Sequence, residues 1–148
     1  ALIIETLTEN KNRTAGSIRV ILQKHGGNLG SSGSTTHYFD NCGIIQFAKQ
    51  NISDEEALEL AINAGSNDCV TLDNYHEIIT KKEDFYKVKN TIINSVKTLI
   101  YSGIEWRPNN FIDISKEEST DFENMLEQLH EDDDIQKVFH NCRPIQHV

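Results

Sequence analysis

Cysteine is scarce and badly spaced for chemistry. Cys42, Cys69 and Cys142 are the only three among 148 residues, and no two form a C-x-x-C pair. An odd number so far apart argues against a disulfide framework or a zinc knuckle, and buried or idle thiols in a reducing compartment are expected. The six histidines are scattered. Only His140-Asn141-Cys142 with His147 cluster, without the spacing of a metal site. No apolar run approaches the ~20 residues that span a bilayer, and no basic-then-apolar leader opens the chain, so no membrane partner is expected. There is no initiator Met either: the chain begins in Leu2-Ile3-Ile4 and reads as a fragment whose N-terminal portion is absent. No titratable pair is marked out for acid–base work, so no catalytic residue, metal or cofactor is expected, and the protein is not read as an enzyme.

What is present is charge, and it is segregated. The formal net charge is -9. Between Ser115 and Asp134 nine acids face Lys116 alone, so that segment carries -8 and the remainder is near neutral. The stretch Thr8–Ser34 reverses the sign: Lys11, Arg13, Arg19 and Lys24 stand against Glu9 for a sum of +3. Whole-chain acidity argues against a polyanionic partner, and this segregation weakens the objection.

Hydrophobic patterning places these charges on elements. Residues 2–7 read as a strand, and Asn10 or Asn12 can cap a helix over about 13–25. At about 100° per residue, Ala15, Ile18, Ile21, Leu22 and His25 share one arc, with Arg13, Ser17 and Lys24 opposite. Gly26 and Gly27 end the helix, and a glycine-rich polar loop follows. The runs 34–39 and 43–48 around Asp40-Asn41-Cys42 suggest a hairpin. Ser53 with Glu56, Thr80 with Glu83 and Ser115 with Glu118 are capping boxes for three more helices. Strand signals at 69–72 and 76–80 form a second hairpin, and those at 103–106, 111–114 and 135–140 complete the chain. The pattern predicts an α+β fold of two ferredoxin-like βαββαβ units, the second inserted into the first. The discontinuous first domain is expected to comprise 1–49 plus 111–148, and the inserted domain 50–110.

Each motif admits a plain and a functional reading. The Gly26–Ser34 loop fails as a phosphate loop, because no Lys-Ser/Thr pair follows Gly33 and the loop leaves a helix instead of entering one. Gly27-Asn28-Leu29-Gly30 matches the G-x-x-G of a KH clamp, which joins two helices, whereas here a strand follows. The loop is either a simple connection or a mobile segment offering N–H groups to phosphates. The cationic helix is either a solvated face or a phosphate-contacting one, for which Lys11, Asn12, Arg13, Thr14, Arg19, Lys24, Asn28 and Ser34 are the candidate nucleic-acid contacts. The acidic helix is either solvated or a docking surface for basic protein, with Glu118, Asp121, Asp132 and Asp133 as its candidates.

Motif by motif, the chain resembles the YebC/PmpR family, which includes the mitochondrial translational activator of cytochrome c oxidase subunit one. The run Leu7-Thr8-Glu9-Asn10-Lys11-Asn12-Arg13-Thr14 is similar to the family's L-T/S-D-N-R/K-N-R-T, with Glu9 for the usual Asp. Lys24-His25-Gly26-Gly27-Asn28-Leu29-Gly30, then Gly33-Ser34, resembles K-x-G-G-N-L-G-x-x-G-S, and Phe39 with Gly43 resembles F-x-x-x-G. Ala64-Gly65 with Asp68 resembles A-G-A-x-D. Asp133 to Asn141 resembles D-D-V-Q-x-V-Y-x-N, with Ile135 and Phe139 as the variants. The resemblance implies the second and third domains of a three-domain protein, without its basic N-terminal helical domain. It further implies a non-enzymatic regulator, either a ribosome-associated translation factor easing stalling at consecutive prolines or a DNA-binding transcriptional regulator. A metabolite-sensing or protein-docking module is the third reading. Implied partners are the ribosome with its rRNA or tRNA, duplex DNA, or the protein's own basic N-terminal domain, in bacterial cytoplasm or the mitochondrial matrix.

Overall fold

Two serines set helix starts where the sequence places them. In a computed structural model, which describes residues 1–144, Ser53 Oγ accepts from Glu56 N–H and Ser115 Oγ from Glu118 N–H, each at 3.1 Å. Each hydroxyl also donates to its glutamate's carboxylate, at 3.0 and 2.9 Å. Such caps satisfy first-turn donors and are worth ~1 kcal/mol each. They open α2 (Asp54–Ala64) and α4 (Lys116–His130). Asn10 caps α1 (Lys11–Lys24) through Oδ1, which accepts from Arg13 N–H at 3.1 Å. Gly65, at φ +86°, closes α2 in a left-handed conformation that a side chain would strain.

The remaining elements are β1 (Leu2–Thr6), β2 (Phe39–Ala48), β3 (Asp68–Thr71), β4 (Tyr75–Lys81), α3 (Phe85–Val96), β5 (Tyr101–Pro108), β6 (Ile112–Ile114), β7 (Ile135–His140) and β8 (Cys142–Pro144). They form a mixed α+β chain of two compact units, one of Ala1–Asp40 with the chain from Arg107 onward, the other of Asn41–Trp106.

The second unit is a four-stranded sheet in the order β3-β4-β2-β5. Register pairs Ile45 with Ile78 and Phe47 with His76 across β2 and β4. These side chains pack with Ala57, Ala61 and Ala64 of α2 and with Phe85, Val88 and Ile92 of α3. Burying each large apolar side chain contributes ~1.5–3 kcal/mol, and the alanine stripe lets α2 lie close. His76 is wholly buried and satisfied: Nδ1 lies 2.9 Å from Thr71 Oγ1 and Nε2 3.2 Å from Ile52 O.

In the first unit β1 pairs antiparallel with β7, from Leu2↔His140 to Glu5↔Lys137. α1 and α4 contribute Ile18, Leu22, Met125 and Leu129 to one core with Ile135, and Leu2, Ile4 and Val138 pack against it. β6 pairs in parallel with β8, which the sequence did not signal because it is only Cys142-Arg143-Pro144.

Two expectations are corrected. Residues 34–39 and 43–48 do not form a hairpin: Thr36–Tyr38 is a 3-10 turn, and Asp40-Asn41-Cys42 lies inside the ten-residue β2. Phe39, Cys42, Ile44 and Ile45 are all buried, so β2 lacks the one-sided burial that would mark a continuous strand in sequence. Thr80 caps nothing. It is buried in β4 with its hydroxyl on Lys81 O, and α3 begins only at Phe85, after a further 3-10 turn.

Gly43 is fixed by space. A Cβ there would meet Phe85 Cδ1 at 2.6 Å and Thr80 Oγ1 at 2.8 Å. Gly43→Ala is expected to lower stability by ~1–3 kcal/mol in urea unfolding, and adding Phe85→Leu should restore part of the loss.

Candidate nucleic-acid interface

The polar residues around the start of α1 are tied to the acidic segment before β7. Thr14 Oγ1 lies 2.7 Å from Asp134 Oδ2 and 2.7 Å from Thr8 Oγ1, which is itself 3.2 Å from the same carboxylate oxygen. Arg13 Nη2 donates to that oxygen at 3.4 Å, and Leu7 N–H donates to Asp134 O at 2.8 Å. Asp134 N–H in turn donates to Asp132 Oδ1 at 2.9 Å. The hydrogen bond from Thr14 holds the Asp134 carboxyl below the ordinary carboxylate range, against an opposing effect of desolvation and with further help from Thr8 and Arg13.

This web divides the predicted contacts. Thr14 is buried, 3% exposed, with its hydroxyl committed, so it is a structural residue and not an outward contact. Arg13 is 64% exposed, but a carboxylate beside it partly cancels its field. Lys11, Asn12, Arg19 and Lys24 are exposed, and among the described residues those three cations have no ion pair. At ~100° per residue Arg13 and Lys24 lie ~20° apart on the helical wheel and make a narrow strip, while Arg19 is ~120° and Lys11 ~160° from Arg13, so these two project from other sides of α1. At the far end of α1, His25 Nδ1 lies 2.8 Å from Asp121 Oδ1, fixing α1 to α4. The ionised carboxylate only accepts, so Nδ1 carries the proton.

The loop beyond is half-structured. Ser34 N–H donates to Ser31 O, Thr36 N–H to Gly33 O and Tyr38 N–H to Thr35 O, while Thr35 Oγ1 donates to Leu2 O at 2.9 Å. Asn28, Leu29 and Gly30 are exposed and have no hydrogen bond among the described residues, which leaves their N–H groups open to an anion. Ser34 is exposed on the structured half.

Of the four acidic candidates, Glu118 accepts from the Ser115 hydroxyl that caps α4, Asp121 holds His25 and Asp132 accepts from Asp134, while Asp133 is exposed without such a contact among the described residues. The outward stripe is instead Glu123, Glu127 and Glu131, all exposed, and their i,i+4 spacing was the available signal. Among the described residues no disulfide joins the cysteines. Burial, then Asp68 and Asp54, push the Cys69 thiol up, away from the reactive thiolate. No group of three His, Cys, Asp or Glu among the described residues could hold a metal ion, and no described helix is long and apolar enough to cross a membrane.

Because the Asp134 carboxyl titrates below its ordinary 3.8, its contribution to stability is whole above that value and lost as pH falls through the folded-state value. Asp134→Asn is expected to be less stable than the parent at pH 7, with the gap closing below about pH 4 in thermal melts.

The family model of the TACO1/YebC second and third domain matches residues 1–142. The chain is 43% identical over 141 residues to a probable transcriptional regulatory protein of Pelagibacter ubique. It is 44% identical over 142 residues to another of Thermoanaerobacter pseudethanolicus. Each alignment covers 95% of this chain and 58% of the relative, so the chain spans under three fifths of these proteins' length. The crystal structure of a conserved hypothetical protein from Aquifex aeolicus matches all of this chain and 61% of its own, with a TM-score of 0.82 at 33% identity. The chain therefore belongs to the TACO1/YebC family, of which it carries the second and third domains.

Proposed function

We propose that the protein is a non-enzymatic, ribosome-associated translation factor that eases stalling at proline-rich stretches, touching rRNA or tRNA through the phosphate backbone. The observation that supports RNA is how few cations of α1 stay free and how they are dispersed around it, which a flexible strand can follow and a rigid duplex face cannot. Among the described residues Lys11, Arg19 and Lys24 have no ion pair, but Arg13 shares its charge with Asp134 and the end of α1 is held by Asp121. α4 packs on α1. Packed helices lie ~8–10 Å apart, about one Debye length at physiological salt, so a ligand broader than one helix meets α4's carboxylates poorly screened. A single strand, or the edge of a folded RNA, fits better.

A DNA-binding transcriptional regulator is the second reading, favoured by the names of the relatives, which are probable transcriptional regulatory proteins. On that reading the basic N-terminal domain of a longer parent grips the duplex, and this chain docks that domain on the stripe Glu123, Glu127, Glu131 and Asp133. A metabolite-sensing or purely protein-docking module is the third. In fold terms we read two ferredoxin-like units, one inserted in the other; the order β3-β4-β2-β5 supports this for the inserted unit.

Three free cations at about −0.7 each give a slope of log affinity against log salt near −2 for this chain on single-stranded RNA. The triple variant Lys11→Ala, Arg19→Ala, Lys24→Ala is expected to flatten that slope toward zero at unchanged melting temperature. Arg13→Ala should flatten the slope less than Lys24→Ala, because Asp134 already offsets part of its charge. Co-sedimentation of the full-length parent with ribosomes, beside duplex-DNA binding at matched salt, tests the choice: tighter binding to duplex, with none to ribosomes, would favour the second reading.

A further inference from the structure

Where the glycine loop ends, the first unit has a hollow of about 250 Å³, lined by His37, Tyr38, Asn109, Asn110, Ile112 and Asn141. Its frame is fixed. Asn109 N–H donates to Tyr38 O at 2.9 Å, and the Asn109 amide, in the orientation that satisfies both its ends, donates to the Asp40 carboxylate at 2.8 Å. Ile112 N–H donates to Asn141 O at 2.7 Å.

Two features of this hollow await a guest. Tyr38 is 48% exposed, with one neighbour of its own kind, the His37 ring at 4.0 Å. Asn141 is only 3% exposed overall and its Oδ1 accepts from the Ala1 nitrogen at 2.8 Å, while its Nδ2, without a protein acceptor among the described residues, is not sealed off and stays within reach of solvent in the hollow. An amide donor that solvent reaches, beside a half-exposed tyrosine ring, suits a partner that is flat, apolar on its faces and rich in acceptors at its edge. A nucleobase has that chemistry. The volume falls below the ~300–1,000 Å³ of a whole-ligand pocket, which suits a single ring system rather than a complete cofactor. Connectivity agrees: the loop that carries the open N–H groups of Asn28, Leu29 and Gly30 leaves α1 just after the unpaired Lys24 and ends on Tyr38.

We propose that this hollow is a nucleobase subsite, in which one unpaired base of single-stranded RNA stacks on Tyr38 and accepts from Asn141 Nδ2, its phosphates running back along the loop to Lys24. This rests on the reading of the chain as an RNA-binding protein; the strip holds backbone and the hollow holds a base. Stacking on an aromatic platform is tolerant of sequence, so the subsite gives a preference for unpaired over paired RNA rather than a base code.

The test is fluorescence anisotropy of the 148-residue chain with a short labelled single-stranded RNA and with the same sequence as a duplex, over a salt series. Tyr38→Ala, at an exposed position that should spare the fold, is expected to weaken single-strand binding by ~5–150-fold, the range of one stacked base. The salt slope should stay unchanged, duplex binding should not move, and Tyr38→Phe should bind like the parent. A salt-dependent single-strand affinity indifferent to Tyr38→Ala would overturn the subsite while leaving the RNA reading intact. Absence of RNA binding in the parent chain would overturn both. Loss on Tyr38→Ala of binding to a proline-rich peptide, with RNA binding unaffected, would make the hollow a peptide groove and refute the assignment.

Discussion

One carboxylate, that of Asp134, ties together parts of the first unit that are more than a hundred residues apart in sequence. Its side chain takes hydrogen bonds around the Thr8 and Thr14 hydroxyls and from Arg13, and its backbone carbonyl takes the Leu7 N–H. The turn from β1 into α1 and the turn from α4 into β7 therefore share one knot. This is where the chain's densest polar motif meets its densest acidic run, and each accounts for part of the other. Several residues that look in sequence like an outward nucleic-acid signature, Thr8, Asn10 and Thr14, are committed to the fold. What remains for a ligand is the set of cations that the knot does not consume.

That economy decides the character of the surface. A helix with four cations and one flanking acid reads as broadly basic in sequence. In the fold its two ends are met by carboxylates, Asp134 at the first turn and Asp121 at the cap. Exposed ion pairs contribute little to stability, but they subtract directly from the field a phosphate would feel. On α4, Glu123, Glu127 and Glu131 repel one another at i,i+4 spacing, costing a few tenths of a kcal/mol per pair, and they bound any polyanion approaching from that side. The positive area is a strip leading into a loop, and the loop leads to an aromatic hollow.

How far the residues alone reveal this varies with the physics involved. Helix starts at Ser53 and Ser115 were legible because a cap is a local bond between residues three apart. The buried face of α1 at Ile18 and Leu22 was legible because periodicity reports one-sided burial. β2 misled because both its faces are covered, which removes the alternation, and an Asp-Asn pair inside it imitates a turn. Thr80 misled because a capping box is only a spacing, and the pairing of Thr80 with Gly43 in the β2–β4 ladder outweighs it. For the site, the positions of the cations could be read and their neutralisation could not: Arg13 and Asp134 are separated by 121 residues. The hollow at Tyr38 was invisible for the same reason, since Asn109 and Asn141 reach it only through tertiary contacts.

The most direct test of the central claim, that the strip and its loop are the ligand surface while the Asp134 knot is scaffold, is a heteronuclear NMR titration of this chain with a short single-stranded RNA. The amides of Arg19, Lys24, Asn28, Leu29, Gly30 and Tyr38 are expected to shift together and saturably, with those of Leu7 and Thr14 unmoved. Shifts centred on Leu7, Thr14 and Asp134 or on the Glu123–Glu131 stripe, with none on the loop, would contradict the account.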